Sequence, residues 1–197
     1  MKKTNVFIIS WYGPFSSQKK LQEWEYKQKD CYFLYIFQGK RRKNGRFKYY
    51  CGMTYHRTIS DACVSHRIND ADHHIHEFEN RHPETITIWV GTFANVSRPK
   101  KSDVRLCEKM LTSELTHFEL DEKEQVNKTN KKPPQETVYI INEWFNINKI
   151  IDDDGNYDDY KSRSKDAIPN IVPDVMCYYA GSGDWYRARK LKLAPRL

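Results

Sequence analysis

The sequence predicts an α+β protein, on three observations. Two strand-like runs, Cys31–Gln38 (CYFLYIFQ) and Phe47–Met53 (FKYYCGM), flank Asn44-Gly45, the strongest short-range hairpin signal, so the two runs should pair antiparallel. A third run, Thr85–Thr92 (TITIWVGT), alternates like a half-buried strand. Two amphipathic helical stretches lie after the hairpin and after that third strand. Ser60–Asn80 carries the stripe Ala62, Cys63, Ile68, Ala71, Ile75 and Phe78, and Ser102–Phe118 carries Val104, Cys107, Leu111, Leu115 and Phe118; Ser60 and Ser102 are the expected N-caps.

The remaining elements follow in order. Val6–Ile9 is a short β-branched and aromatic strand, Ser10–Pro14 reads as a turn, and Pro14, Ser16 and Ser17 lead into a helix over Gln18–Lys27. Glu119–Gln135 is polar, lysine-rich and proline-bearing, so it reads as a loop. Thr137–Ile151 carries two strand-like pieces, Asp152–Lys165 is an acidic exposed loop, and Ile168–Tyr179 holds apolar clusters broken by Pro169 and Pro173. The tail Arg187–Arg196 is basic. NVFIISWY and TVYIINEWF echo each other without making a convincing repeat.

Composition limits the function classes. The 197 residues favour one domain, and 14% aromatic residues argue for a packed core under a surface that holds most of the 30% charged residues. A net charge of +7 raises the prior for a polyanionic partner, because each Lys or Arg set on a phosphate releases counterions. Five cysteines, with no CxxC pair, read as free buried thiols in a reducing compartment, and Val6–Ile9 is too short for a signal segment. No apolar run has the length of a membrane span. The expected location is the cytoplasm.

The run of strand hairpin, helix, strand and helix, with its particular residues, resembles the GIY-YIG nuclease family. Phe33-Leu34-Tyr35 matches the family's first motif with Phe in place of Gly, and Tyr50-Cys51-Gly52 matches the second. Arg67 (VSHRI) matches the arginine of the following helix, with Arg57 as competitor; Glu108 (RLCEKML) matches the helical glutamate, and Asn127 (VNKTN) the later asparagine. The resemblance covers 31–130. It implies a small module with a three-stranded antiparallel sheet flanked by helices, within a single domain 1–197. The segments 1–30 and 131–197 are then additions for DNA reading or dimerisation.

The resemblance also implies a chemistry: metal-dependent hydrolysis of double-stranded DNA, of the stand-alone restriction type. Glu108 would hold one Mg²⁺ (or Mn²⁺), a hard cation that keeps most of its waters. Arg67 would grip the non-bridging phosphate oxygens. Tyr35 and Tyr50, side by side on the hairpin, would activate and position the attacking water, their pKa lowered by nearby cations. Among the clustered histidines His66, His73, His74, His76 and His82, no cysteine pair completes a zinc site, and His74 is the candidate for relaying a proton. Lys40, Arg41, Arg42, Lys43, Arg46 and Lys48 form the densest charge cluster and would clamp DNA phosphates, with Asn127, Lys128 and Lys131 extending the track. A palindromic site would call for a homodimer. The competing expectations are a nucleic-acid-binding protein that keeps a degenerate nuclease fold and a protein-interaction factor from a mobile element.

Overall fold

The computed structural model describes residues 4–28, 32–56, 63–69, 84–119, 127, 132–150, 156–160 and 167–189. It corrects the expected fold. Among the described residues the architecture is one large curled mixed sheet carrying four short helices, where a small three-stranded sheet flanked by helices was expected.

The strands are β1 (Thr4–Phe15), β2 (Tyr32–Lys40), β3 (Phe47–Tyr55), β4 (Glu84–Phe93), β5 (Thr137–Ile150), β6 (Tyr157–Asp159), β7 (Val175–Tyr179) and β8 (Asp184–Ala188). Their order across the sheet is β3-β2-β4-β1-β5-β7-β8, with β6 paired to β5 off this path. β1 and β5 run parallel and the other pairs antiparallel. The helices are α1 (Gln18–Glu25), α2 (Val64–Asn69), α3 (Lys101–Glu114, continued by a π-helical turn Leu115–Glu119) and α4 (Ile168–Ile171).

The physical reason for the correction lies in β1. As the outer strand of a three-stranded sheet, β4 would leave a row of main-chain donors and acceptors unpaired. β1 takes that edge and is in turn paired by β5, so the segments read as additions form the middle of the sheet. The echoed sequences are these two strands. They align Trp11 with Trp144, whose rings stack at 5.4 Å and 14°, while Trp11 Nε1 donates to Asn142 Oδ1 at 2.8 Å.

Several local readings change with it. Ser10–Pro14 is not a turn: β1 continues to Phe15, bonded to β5 as far as Gly13, with an irregularity against β4 between Tyr12 and Phe15. Gly13 serves close packing, since a Cβ there would lie 2.6 Å from the Trp89 ring. Thr137–Ile150 is one strand rather than two pieces. α3 begins after Lys100, not Ser102, and Asp103 Oδ2 accepts the Lys100 N–H at 2.9 Å. Ser17 caps α1 as its position suggested.

The hairpin β2–β3 forms, but not around a two-residue Asn44-Gly45 turn. Its last pair is Lys40–Phe47, and the loop is closed by Gly45 N–H donating to Arg42 C=O at 2.8 Å. Glycine in the last position of such a turn suits type I geometry, whereas Asn-Gly at the two central positions would be type I′. The strands are thereby slid by two residues from the expected register, which leaves every side chain on its expected face.

Two cores sit on opposite faces of the sheet. The larger holds Phe7, Ile9, Trp11, Leu34, Ile36, Cys51, Trp89, Val138, Ile140, Trp144 and Met176 under α3, which contributes Val104, Cys107, Met110 and Leu111. The smaller holds Phe15, Phe33, Tyr35, Phe37, Ile88 and Val90 under α1 and α2, which contribute Leu21, Trp24, Val64 and Ile68. The cysteines Cys51, Cys63, Cys107 and Cys177 are buried free thiols. Among the described residues no helix is long and apolar enough to cross a membrane.

Candidate active site

The pleat brings the two tyrosines together. Tyr35 pairs with Gly52, so Tyr50, two residues earlier on β3, is its diagonal neighbour on the face of the smaller core. Their rings stack with centroids 6.2 Å apart and planes 23° apart. Gly52 makes room for this: a Cβ there would sit 2.3 Å from Tyr35 Oη. The glycine of the Tyr50-Cys51-Gly52 motif is therefore a packing requirement of Tyr35, since the φ at this position is one that any residue could adopt.

The pair is graded by depth. Tyr35 is 2% exposed, while Tyr50 is only partly buried. The two hydroxyls are hydrogen-bonded to each other, which raises the Tyr35 value and lowers that of Tyr50. Burial is the largest influence on both and holds Tyr35 well above the usual phenol range. Tyr50 is pushed up to about 12, by burial first and then by the charge of Glu108. With no metal ion beside them, desolvation and the Glu108 carboxylate hold both phenols up, the direction opposite to the one that neighbouring cations would impose.

Glu108 is half-buried on α3, whose apolar side packs on the larger core. Its charge nevertheless bears on Tyr35, Tyr50 and the Cys51 thiol. β3, which carries Tyr50 and Cys51, is the edge strand of the sheet.

Arg67 stands on α2, whose Val64 and Ile68 pack into the same core as Tyr35. Its Nη2 meets His56 Nε2. α2 is fixed from below by α1: the buried Glu25 carboxylate accepts the Val64 and Ser65 N–H groups, and Gln18 Nε2 donates to Ser65 C=O at 3.1 Å. Burial raises the Glu25 pKa, offset in part by the hydrogen bonds from Ser65 and Val64.

The other expected residues divide. Arg41, Arg42, Lys43 and Arg46 are exposed on the hairpin loop, Lys48 is half-buried, and Lys40 lays its Nζ over the Phe47 ring at 4.0 Å. Asn127 is buried; its Oδ1 accepts the Cys51 N–H at 2.9 Å and its Nδ2 donates to the Cys51 C=O at 2.6 Å. Its carboxamide therefore pairs the edge of β3 between Tyr50 and Gly52. His74, Lys128, Lys131, the competitor Arg57 and the rest of the long helical stretch lie outside the described residues. His56 was missed. It lies one residue past the end of β3, outside the motifs that point to the hairpin, and no local pattern marks it.

Among the described residues no three His, Cys, Asp or Glu side chains are grouped to hold a metal. Among the described residues the site offers one carboxylate whose charge bears on a phenol pair, a donor set that would suit a hard cation that keeps its waters. No family model, no curated protein and no solved structure matches this chain.

Proposed function

We propose that the chain is a divalent-metal-dependent endonuclease that hydrolyses double-stranded DNA with a GIY-YIG-type residue set, as a restriction-type enzyme does. One observation carries the reading: Tyr35 and Tyr50 stack on one face of the β2–β3 hairpin, with Tyr50 the more exposed, and the charge of Glu108 on α3 bears on both. Mg²⁺ or Mn²⁺ on Glu108 would supply Lewis-acid stabilisation of the leaving oxygen. A cation beside Glu108 would offset the carboxylate charge and favour release of the Tyr50 proton to solvent; the Tyr50 phenolate would then take the proton of the attacking water and return to the neutral phenol, with Tyr35 hydrogen-bonded to its oxygen. Arg67 grips the phosphate oxygens, and Arg41, Arg42, Lys43 and Arg46 meet the flanking backbone. Four buried free thiols suit the reducing cytoplasm. Reading a palindromic site would take two copies of the chain.

The test is cleavage of genome-length DNA, which offers many sites, with Mg²⁺ or Mn²⁺ and with EDTA. Glu108→Gln should abolish cutting while folding persists. Tyr50→Phe should lose about 10²-fold or more in rate, as for loss of a general base, and Tyr35→Phe less. Full cutting in EDTA, or normal rates for both Phe variants, would remove the reading. The burial of Tyr35 favours a second reading, a nucleic-acid-binding protein without catalysis, whose signature in the same assay is tight binding with no product.

A further inference from the structure

The contact between Arg67 Nη2 and His56 Nε2 ties α2 to the residue just past the end of β3. A guanidinium only donates. His56 Nε2 must therefore present its lone pair, which makes the imidazole neutral with its proton on Nδ1. One of the five guanidinium N–H groups is committed to His56 among the described residues, and an anion would engage the others.

The helix beneath this contact is already rigid. Val64 and Ile68 are buried in the smaller core, Glu25 holds the first N–H groups of α2, and Gln18 holds the Ser65 carbonyl. The freedom left to Arg67 lies in its own side chain, which is long and loses much rotamer entropy when fixed. His56 removes that freedom from the residue just past the end of β3.

We infer that His56 is a positioning residue that orients the Arg67 guanidinium toward a phosphodiester oxyanion on the Tyr50 face. The identity of the anion rests on the nuclease reading; the orienting contact does not. His56 acts through Arg67, so its loss should matter only while Arg67 is present. Its requirement is for an acceptor at the position of Nε2, which glutamine can supply and phenylalanine cannot.

The experiment is a double-mutant cycle on the full chain, with His56→Ala, Arg67→Ala and the double variant, and with His56→Gln and His56→Phe as controls. The readouts are cleavage rate, affinity for a fluorescein-labelled 20-bp duplex in EDTA (about two helical turns), and imidazole ¹⁵N shifts. His56→Ala should lower kcat/KM by about 10-fold or more and do nothing further in the Arg67→Ala background. His56→Gln should recover most of the loss and His56→Phe none, with melting temperatures alike. Additive losses, or equal behaviour of Gln and Phe, overturn the proposal. If the wild type does not cut, the nuclease reading has failed, and the same cycle on duplex affinity then decides the role of His56: coupled losses support it and additive losses sink it. The ¹⁵N spectra need no DNA. They should show a neutral Nδ1–H tautomer whose Nε2 signal shifts in Arg67→Ala and less in Arg67→Lys; an unmoved signal also overturns the proposal.

Discussion

At the scale of single residues, the phenol pair responds to one charge. Tyr50 titrates near 12 because burial and Glu108 both disfavour its phenolate. Removing the charge in Glu108→Gln should bring the Tyr50 value down, followed by the ¹³Cζ signal of labelled tyrosine against a Tyr50→Phe control. A titration that does not move would dissociate Glu108 from the site. The sign for stability follows. The folded value lies above the unfolded value of about 10, so the contribution of the neutral phenol is complete below pH ~10 and is lost as pH rises toward about 12. The shared face of Tyr35 and Tyr50 was legible in the sequence, because a two-residue slide of the register preserves the pleat. Their pKa direction was not legible: it depends on depth, and the YxG motif carries no depth.

At the scale of elements, α2 is a short helix held from outside itself. The isolated helix would be marginal at six residues, and its stability comes from the burial of Val64 and Ile68 and from the Glu25 cap supplied by α1. Glu25→Ala would leave the Val64 and Ser65 N–H groups without their acceptor in a buried position. The cost should be about 2–4 kcal/mol, from one or two lost buried acceptors, read as a lower urea midpoint at an unchanged m-value. A loss under about 0.5 kcal/mol would mean that water or another group replaces the carboxylate. The strands β2, β3 and β4 and the helix α3 were readable from periodicity alone. The Glu25 cap was not, because a carboxylate on one helix that caps another leaves no local pattern, unlike Ser17 ahead of α1.

At the scale of the whole molecule, the sheet depends on strands from both ends of the described chain. Trp11 and Asn142, bonded to each other, are 131 positions apart, and no periodicity reports a pairing over that distance. This is why the fold class was misread while the hairpin was found. A fragment spanning 31–130 lacks β1 and β5, and with them Phe7, Ile9, Trp11, Val138, Ile140 and Trp144. At about 1.5–3 kcal/mol for each large side chain, the loss is on the order of 10 kcal/mol, comparable with the whole stability of a domain. The fragment should therefore show no cooperative thermal transition by circular dichroism; a sharp transition would restore the compact module. The parallel pairing also sets a timetable. A ribosome extending the chain at about 5–20 residues per second leaves β1 without its parallel partner for several seconds, until β5 is made. During that wait Val6, Phe7, Ile8 and Ile9 form an apolar β-prone run with an open edge, so the nascent chain is the stage at which this protein most needs a chaperone.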